Sequence, residues 1–496
     1  MDVIAAVDLG SNSFRLQVGR VANGQVYAAD TLKEPVRLAA GLSADKWLDG
    51  DSFQRGLAAL RLFNARLVEF APEAVRAVAT NTLRVARNAG DFLRQAEAVL
   101  GFPIEVIAGR EEARLIYLGV AHTFSDHSRQ QLVVDIGGGS TEFIIGKGLE
   151  PVLLDSLYMG CVGYSLRHFP EGKADKRCFQ AAELAARREL QAIVHDYRDA
   201  GWERAIGSSG TAKALEEVLV LNGLSEEGIT LSGLEKLRAI FQRAGHVEAT
   251  SLDGLREDRI PVILGGLSIM SAVFHEFGLQ HMAFSEGALR LGVLYDLLGR
   301  THQHDQRDTT VETFMGRYHV NAQQAKQVAD TACALLAQIN PDAAETAHME
   351  RRFLRWAALL HEIGISVAYA GYHKHGAYIL ANADMPGFSK KEQARLARLV
   401  LAHRGKSMRL ADFDLSDPDW PLAVCLRLAA LIHRARDGQG IPDISLIRAK
   451  RGFSMLIPPD WLQERPLTSA ALKEEQGQWE SVQRTLSIKN RKPDAE

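Results

Sequence analysis

The sequence predicts an α/β protein of two related lobes followed by a mainly helical region, and two observations support this. A strand, an Asp-containing turn and a second strand occur at Val3–Val21 and return at Leu132–Gly146. The two turns are 127 positions apart, which is longer than a solenoid repeat and typical of two related lobes. From about residue 300, helical spacing of apolar residues replaces the strand-like runs.

The predicted boundaries are 1–125 for the first lobe, 126–300 for the second lobe and 301–496 for the helical region. The polar stretch Thr301–Thr310 is expected to be a linker between the second lobe and the helical region. The helical region is expected to have a small mixed end, because Ile444–Ile457 has the apolar pattern of two strands.

The composition is that of a globular protein and excludes some classes of function. The 496 residues carry a net charge of -3, whereas nucleic-acid-binding domains usually have a clear basic excess. No run approaches the ~18 uninterrupted apolar residues of a transmembrane helix, so no integral membrane segment is expected. The four cysteines are widely spaced without a CxxC pair, which argues against disulfides and structural zinc and favours a reducing compartment.

The strongest chemical signal is the segment Asp135–Glu142, which follows a buried strand. Its three glycines, Gly137, Gly138 and Gly139, let backbone amides approach an anion, and Ser140 and Thr141 add hydroxyl donors. The carboxylates at its two ends would repel a phosphate unless a cation lay between, so Asp135 and Glu142 are candidate Mg²⁺ ligands. The alternative is a hairpin whose glycines serve only the turn; the similar turn near Asp8 makes that less favoured.

Three further segments are candidate phosphate-binding turns. In each, small polar residues follow a strand, and a helix N-terminus or a Gly-rich turn there favours an anion. The alternatives are a turn with a surface Arg for the first segment and simple helix capping for the other two. The candidate donors are Ser11, Asn12, Ser13 and Arg15 in the first segment, Asn81, Thr82 and Arg84 in the second, and Gly207, Ser208, Ser209, Gly210 and Thr211 in the third.

Two adjacent acidic residues, Glu111 and Glu112, follow a strand and open a predicted helix. Acidic residues in a first helical turn usually only complement the helix dipole. In a phosphate-binding cleft, one of them could instead be the general base that deprotonates an attacking water.

The helical region contains a basic run and scattered histidines. Lys391, Arg395 and Arg398 share one helix face, and Arg404 and Lys406 follow them. This run is either a solvated helix face or a track for a long polyanion, whose binding would weaken steeply with salt. The histidines near His361 resemble a metal site only weakly, because Glu362 stands where a His-Asp pair would have Asp, so structural roles are favoured.

Taken together, these motifs resemble the exopolyphosphatase/guanosine pentaphosphate phosphohydrolase (Ppx/GppA) family, most closely the long bacterial exopolyphosphatases. The family shares its fold with sugar kinases, actin and heat-shock chaperone ATPases. The similarity covers nearly the whole chain and rests on Asp8–Ser13, Thr80–Arg84, Gly109–Arg114, Asp135–Glu142, Met159–Val162, Gly207–Thr211 and Glu286–Arg290.

The resemblance implies two actin-like lobes with a cleft between them and a degenerate HD-type helical domain. It further implies Glu112 as the catalytic base, Asp135 and Glu142 as metal-associated carboxylates, and Mg²⁺ as the cofactor. It also implies a homodimer and a cytoplasmic location, with peripheral attachment to the inner membrane as an alternative.

The expected function is that of an exopolyphosphatase, which processively releases orthophosphate from the end of inorganic polyphosphate. The alternative within the family is hydrolysis of guanosine pentaphosphate, pppGpp. An actin-like ATP-dependent kinase or ATPase is a rival of another class, but such proteins typically lack the Glu-Glu-Ala-Arg motif found at Glu111–Arg114. A non-catalytic sensor is a third possibility, disfavoured because Glu112, Asp135 and Glu142 are all present.

Overall fold

A computed structural model describes residues 3–124, 126, 128–301, 305–340, 345–405, 413–436, 443–481 and 483–490. Contacts within the chain divide it into two compact units, Met1–Gln306 and Arg307–Glu496. The division lies close to the predicted start of the helical region at residue 301. The predicted linker Thr301–Thr310 is partly wrong, because a helix already begins at Gln306.

The first unit begins with a five-stranded sheet whose spatial order is β3-β2-β1-β4-β5. The first three strands are antiparallel, and β4 and β5 run parallel to β1. The strands are β1 (Val3–Leu9), β2 (Phe14–Ala22), β3 (Gln25–Glu34), β4 (Val75–Ala79) and β5 (Ile104–Val106), and the helices are α1 (Gly50–Leu67), α2 (Asn81–Val85), α3 (Ala89–Leu100) and α4 (Gly109–Ala121). Helix α1 begins where the Asp49 side chain accepts the Ser52 amide at 2.7 Å, and α3 ends at the left-handed Gly101.

A six-stranded sheet follows in the same unit, in the order β10-β11-β9-β6-β7-β8. Its strands are β6 (Gln130–Ile136), β7 (Thr141–Lys147), β8 (Glu150–Leu157), β9 (Arg204–Ser208), β10 (Ile229–Thr230) and β11 (His281–Phe284). Its helices are α5 (Cys161–His168), α6 (Lys176–Leu190), α7 (Val194–Ala200), α8 (Ser209–Leu221), α9 (Leu231–Ala244) and α10 (Ile263–Phe277). Strands β6, β7 and β8 repeat the β1-β2-β3 meander, and β9 pairs with β6 as β4 pairs with β1. The predicted repeat is therefore a repeat of topology.

Helices α4 and α11 (Leu289–Thr301) form a layer between the two sheets. Their apolar side chains pack against Ile4 and Val78 of the first sheet and Val133 and Ile206 of the second. The two helices touch through backbone, since a Cβ added at Gly292 would lie 1.7 Å from the Leu115 carbonyl oxygen. This close packing holds the first turn of α4 at a defined place between the sheets.

The second unit is mainly helical and includes a small sheet, as predicted. Its helices are α12 (Gln306–Arg317), α13 (Ala322–Ile339), α14 (Glu345–Leu359), α15 (Tyr372–Asn382), α16 (Lys390–Ala402), α17 (Trp420–Ile432), α18 (Pro459–Glu464) and α19 (Pro466–Glu480). The sheet consists of β12 (Ser445–Ala449), β13 (Gly452–Ile457) and β14 (Thr485–Asn490) in that order. The two strands expected at 444–457 are confirmed. Strand β14 was not predicted, because its sequence is short and largely polar.

One segment, Ile260–Phe277, is long and apolar enough to cross a membrane by composition, with a mean hydropathy of 1.6. However, 78% of it is buried inside the protein, where α10 packs against α5 and α6. A single buried helix of this kind is what the core of a globular lobe requires, so it is weak evidence for a membrane span.

Candidate active site

The β1–β2 turn and the β6–β7 turn lie against each other, and a cavity of about 130 Å³ lies between them. A Cβ added at Gly138 would lie 3.1 Å from Cβ of Ser11, and one added at Gly139 would lie 2.5 Å from Oδ1 of Asn81. Cavities that enclose whole drug-sized ligands measure roughly 300–1,000 Å³, so this cavity suits one part of a ligand, such as a phosphate group.

The carbonyl groups of the β6–β7 turn are held away from the cavity by helix α5. The carbonyls of Gly137 and Gly138 accept the first two amides of α5, those of Cys161 and Val162, at 2.9 and 3.1 Å. Only glycine fits at Gly160, because a Cβ there would lie 2.4 Å from the Gly138 carbonyl oxygen. The turn therefore keeps its negative oxygens away from an incoming anion and can offer its amides.

The β1–β2 turn is held in the same way by a different segment. The carbonyls of Asn12 and Ser11 accept the amides of Arg37 and Ala39 at 2.8 and 2.9 Å. The Ser11 hydroxyl in turn accepts the Thr82 hydroxyl at 2.8 Å, which ties the turn to α2. Two carbonyl groups of each turn are thus satisfied inside the protein, which is the arrangement that an anion-binding turn needs.

Charged residues stand at corresponding positions of the two hairpins. Asp8 pairs directly opposite Arg15 in the first hairpin, and Asp135 pairs directly opposite Glu142 in the second. Directly opposite residues of antiparallel strands have their side chains on the same face, with Cβ atoms about 4.5–5.5 Å apart. Asp8, Arg15 and Asp135 line the cavity, whereas Glu142 lies deeper and accepts the Ser156 hydroxyl at 2.8 Å.

The site concentrates buried negative charge. Burial raises the pKa of Asp135 to about 7, and the neighbouring Glu112 and Asp8 charges add to the increase. Burial also raises the pKa of Asp8 to about 6 and, together with Glu112 and Asp135, raises the pKa of Glu142 well above its usual range. Four carboxylates this close together repel one another, and a bound cation would relieve that repulsion.

The two glutamates at the start of α4 have different surroundings. Glu111 accepts Nε of Arg114 at 2.8 Å within a buried ion network that includes Arg76 and Asp296. Glu112 lines the cavity, next to Asp8 and Asp135. Glu111 therefore belongs to the structural network between the sheets, and Glu112 is the member of the pair that faces a ligand.

Most of the predicted phosphate-binding residues are brought together at this cavity. With Glu112 and Asp135, the predicted residues in its lining are Ser11, Asn12, Ser13, Arg15, Asn81, Gly137, Gly138, Gly139, Ser140, Ser209, Gly210 and Thr211. The amide nitrogen of Asn81 is buried and has no hydrogen-bond partner among the described residues. An unsatisfied buried donor is costly, so a ligand oxygen that accepts from Asn81 would be stabilising.

Five of the predicted phosphate-binding residues lie outside the cavity lining: Thr82, Arg84, Thr141, Gly207 and Ser208. Three of them have hydroxyls that donate within the protein, namely Thr82 to Ser11, Thr141 to the Met159 carbonyl at 2.5 Å, and Ser208 to the carbonyl of Gly287 at 3.0 Å. Their contribution is to the shape of the turns. The sequence pattern could not distinguish them because the same small polar residues serve both purposes.

Arg84, predicted as a phosphate donor, donates instead to Glu112. Its Nη1 lies 2.6 Å from Oε2 of Glu112 and 3.1 Å from the carbonyl oxygen of Ile107. The anion that Arg84 contacts is therefore a carboxylate of the protein.

Among the cavity-lining residues that the sequence interpretation did not name as site residues, four have an ionisable side chain: Asp8, Cys161, Arg259 and Arg290. Arg290 ends the motif Glu286–Arg290, and its burial lowers its pKa while Asp8 counteracts the effect. Arg259 precedes α10 in a polar loop without a recognisable motif, and its buried Nε makes no hydrogen bond to the described residues, with the Asp258 carboxylate at 3.8 Å. Only the tertiary structure could reveal Arg259, because nothing in its local sequence differs from a surface Arg.

The second unit contains a larger cavity of about 340 Å³ beside His361 and His403. Burial lowers the pKa of both imidazoles, and each Nδ1 donates to a backbone carbonyl three residues earlier in the chain, those of Ala358 and Val400. Two arginines of its lining are paired with carboxylates, Arg427 with Glu475 and Arg436 with Glu362. These contacts agree with a structural role for the histidines.

The basic run on α16 does not form the open face that its spacing predicts. Arg395 pairs with Asp419 at 2.6 Å and Arg398 pairs with Asp417 at 2.6 Å. Lys391 is exposed, Arg404 stacks over the Tyr372 ring at 4.9 Å, and Lys406 is outside the described residues. Aspartates that lie about twenty residues later in the chain supply the counter-charges, which a helical-face pattern could not anticipate.

Across the described part of the chain, no three His, Cys, Asp or Glu side chains already converge as a complete metal site. Mg²⁺ seldom uses an all-protein cage and is usually bound by one or two carboxylates together with phosphate oxygens and water. The paired carboxylates of Asp135 and Glu142 are therefore compatible with a metal that binds together with its phosphate substrate.

Comparisons with known proteins identify the family of this chain. Residues 17–301 match the Ppx/GppA phosphatase family, and residues 306–476 match domain III of the Ppx/GppA phosphatases. A guanosine-5'-triphosphate,3'-diphosphate pyrophosphatase from Aeromonas hydrophila is 37% identical over 474 residues, which cover 95% of each chain.

Similar solved structures include the PPX-GPPA enzyme of Aquifex aeolicus, with 26% identity and a TM-score of 0.50. An exopolyphosphatase from Cytophaga hutchinsonii is 23% identical with a TM-score of 0.55 and shows similarity of fold alone. They cover 59% and 60% of this chain and 98% of their own chains. These similarities confirm the predicted actin-like fold of the first unit.

Proposed function

Because the chain belongs to the Ppx/GppA phosphatase family, we propose that it hydrolyses the terminal phosphate of guanosine 5'-triphosphate 3'-diphosphate. A phosphoanhydride hydrolase is the activity that the family supports. The observation that favours the guanosine substrate is the 37% identity to the Aeromonas pyrophosphatase over 95% of both chains. This reverses the order of the two substrates expected from the sequence, where polyphosphate came first.

The cavity between the two hairpin turns would hold the terminal phosphate. Arg15, Arg259 and Arg290 line it and supply positive charge, and Asn81 supplies an unsatisfied amide donor. Donors that are fixed before the substrate arrives stabilise the charge of a phosphoryl transition state without reorganisation. Phosphoryl transfer relies mainly on such positioning and electrostatics, which matches a site of this composition.

Mg²⁺ is part of the proposal. Asp135 and Glu142 would hold it. Burial, with a smaller contribution from the neighbouring carboxylates, raises the pKa of both groups, and a bound cation would favour their ionised forms. When bound, the metal would neutralise phosphate oxygens.

Glu112 is the proposed general base. It would accept a proton from a water molecule whose oxygen forms the new bond to the terminal phosphorus, while the bond from that phosphorus to the bridging oxygen breaks. The products are orthophosphate and the nucleotide shortened by one phosphate. The base has to be ionised and within reach of the water, and Glu112 is the glutamate of its pair that lines the cavity.

Inorganic polyphosphate remains a second candidate substrate because the donors proposed for the cavity would contact the phosphate and not the base. None of the described residues in the cavity lining has an aromatic side chain on which a guanine could stack. The same cleavage of a terminal phosphate would therefore serve a chain of phosphates. The homodimer and the cytoplasmic location implied by the resemblance stay predictions.

Orthophosphate release from the guanosine pentaphosphate, from long-chain polyphosphate and from ATP, each with Mg²⁺, tests the proposal. We expect the highest kcat/KM with the guanosine nucleotide and almost none with ATP. Glu112→Gln should reduce kcat by about 10²–10⁴-fold, the usual contribution of a general base. A clear preference for polyphosphate would show that polyphosphate, and not the guanosine nucleotide, is the substrate. A Glu112→Gln protein that stays active would show that Glu112 is not the general base.

A further inference from the structure

Arg84 donates hydrogen bonds both to the proposed base, Glu112, and to the backbone that leads to it. It closes the short helix α2, and its Nη1 bridges Oε2 of Glu112 at 2.6 Å and the carbonyl of Ile107 at 3.1 Å. Ile107 lies in the connection between β5 and α4, just before the helix that contains Glu112. The guanidinium therefore joins the Glu112 carboxylate to the backbone that leads to it.

The contact is buried and backed by close packing. The side chains of Arg84 and Glu112 are 11% and 10% exposed. A Cβ added at Gly109, the first residue of α4, would lie 2.6 Å from Cβ of Ser156 and 3.8 Å from Nη2 of Arg84. The first turn of α4 thus packs against Ser156 with no room for a side chain at Gly109, and such a side chain would be in ordinary van der Waals contact with Arg84.

The charges around Glu112 explain why a cation is useful there. Asp8 on β1, Asp135 on β6 and Glu142 on β7 all experience its negative charge, and Arg84 on α2 is the cation in contact with it. Arg84 also attracts Glu142. A charge-assisted bond to Glu112 offsets the repulsion from three other carboxylates.

The contact uses only one of the two carboxylate oxygens. Oε2 accepts from Arg84, while Oε1 of Glu112 has no hydrogen bond to the described residues, and Glu112 borders the cavity. Arg84 itself does not belong to the cavity lining. This arrangement orients one oxygen towards a ligand and fixes the other.

We infer that Arg84 is a positioning residue that acts through Glu112, holding the carboxylate at Oε2 and directing Oε1 to the attacking water, and that it does not bind phosphate. The inference rests on the proposed function, in which Glu112 is the base. It assigns to Arg84 a role that differs from the phosphate contact that the sequence pattern suggested.

A double-mutant cycle tests this inference with the full-length protein, orthophosphate release and the preferred substrate. We expect Arg84→Met to reduce kcat by about 10–100-fold and to change KM by less than about 2-fold, since a positioning residue affects the transition state and leaves ground-state binding intact. In the Glu112→Gln background the same substitution should cause almost no further loss, because residues that act as a unit are strongly non-additive. Arg110→Met, on the same turn of α4 with a partly exposed contact to Asp155, is the matched control and should keep normal activity.

Arg84→Lys keeps a positive charge and should recover part of the lost kcat, and added guanidinium should partly rescue Arg84→Met. A raised KM, or an Arg84→Met loss that persists in Glu112→Gln, would overturn the inference in favour of a phosphate contact. An unchanged kcat would also overturn it. If Glu112→Gln alone keeps its activity, Glu112 is not the base and the proposed function fails at that step. This outcome can be distinguished from failure of the inference, because it does not depend on any Arg84 variant. Thermal melting of each variant separates loss of folding from loss of kcat, and Arg84→Lys serves if Arg84→Met does not fold.

Discussion

In the β1–β2 hairpin Asp8 lies directly opposite Arg15, and in the β6–β7 hairpin Asp135 lies directly opposite Glu142. The two hairpins have the same register, and each has a glycine two positions after the aspartate, Gly10 or Gly137. They differ in the charge of the opposite residue. The first hairpin places an arginine opposite its aspartate, whereas the second places a second carboxylate there.

Because of this difference, we expect one hairpin to bind the phosphate and the other to bind its metal counter-ion. The first hairpin can offer a cation to the substrate, because Arg15 lines the cavity. The second hairpin can attract a metal, because its two carboxylates have no equivalent cation between them. Burial raises the pKa of both aspartates, to about 7 for Asp135 and to about 6 for Asp8, and at Asp8 the charges of Arg290 and Arg15 counteract the increase. The two hairpins thus carry complementary charges at equivalent positions.

Removing the charged residue opposite the aspartate should affect the two hairpins differently, and this is the largest effect that we expect from the comparison. Arg15→Gln should reduce kcat/KM by about 10–100-fold, the value of a hydrogen bond to a charged group, without changing the Mg²⁺ concentration needed for half-maximal activity. Glu142→Gln should instead raise that Mg²⁺ concentration by about 10–100-fold. Steady-state kinetics at several Mg²⁺ concentrations measure both quantities.

The control variants lie on exposed positions of the same sheets. Arg20→Gln on β2 and Glu150→Gln on β8 should leave both quantities unchanged, because these residues lie outside the cavity lining. If Arg15→Gln and Glu142→Gln shift the Mg²⁺ requirement equally, the two hairpins do not have separate roles.

The pH dependence of stability should reveal the buried carboxylates of the two hairpins. Because burial raises the pKa of Asp135 to about 7 and that of Asp8 to about 6, the unfolded chain releases these protons at lower pH than the folded protein. Their contribution to stability is therefore complete below a pH of about 4 and is lost as the pH rises through about 6–7 in the absence of metal.

Thermal melting with and without Mg²⁺ at about pH 5 and about pH 8 measures this contribution. Mg²⁺ should increase the Tm more at the higher pH, and Asp135→Asn should lose more of that increase than Asp8→Asn. A metal effect that is equal at both pH values, or equal in both variants, would contradict the difference between the hairpins.

The smallest expected effect concerns the glycines at equivalent turn positions. A Cβ at Gly10 would lie 2.9 Å from the Ser13 carbonyl oxygen, and a Cβ at Gly137 would lie 3.1 Å from the Ser140 carbonyl oxygen. Gly10→Ala and Gly137→Ala should each reduce the free energy of unfolding by about 1–3 kcal/mol, with the larger loss at Gly10. Chemical denaturation measures both, and Gly50→Ala, where a Cβ meets nothing within 4 Å, is the control.

Much of this protein follows from local sequence. A buried strand, an aspartate, a glycine and small polar residues together specify a strand–turn–strand unit, so the two hairpins and their relationship could be predicted from residues 3–21 and 132–146. The change to helical periodicity after residue 300 predicted the second unit for the same reason. Periodicity depends only on which side chains face a core, and that information is present in the sequence.

Residue roles within the site depended on packing between distant segments. Glu111 and Glu112 are adjacent and chemically identical, and only the position of α4 between two sheets turns Glu111 towards Arg76 and Arg114 and Glu112 towards the cavity. Likewise, Arg395 on α16 has the spacing of a free basic face, but Asp419 reaches it from a later segment.

The sequence by itself determined the two hairpins, their charges and the family to which the chain belongs, because these depend on residue types at fixed spacing. Only the tertiary structure decided which donors face the ligand, that Arg84 contacts Glu112 and that Arg259 completes the cavity. The physical reason is that hydrogen bonds and ion pairs are made within about 3–4 Å, and such proximity between residues far apart in the chain is created by packing.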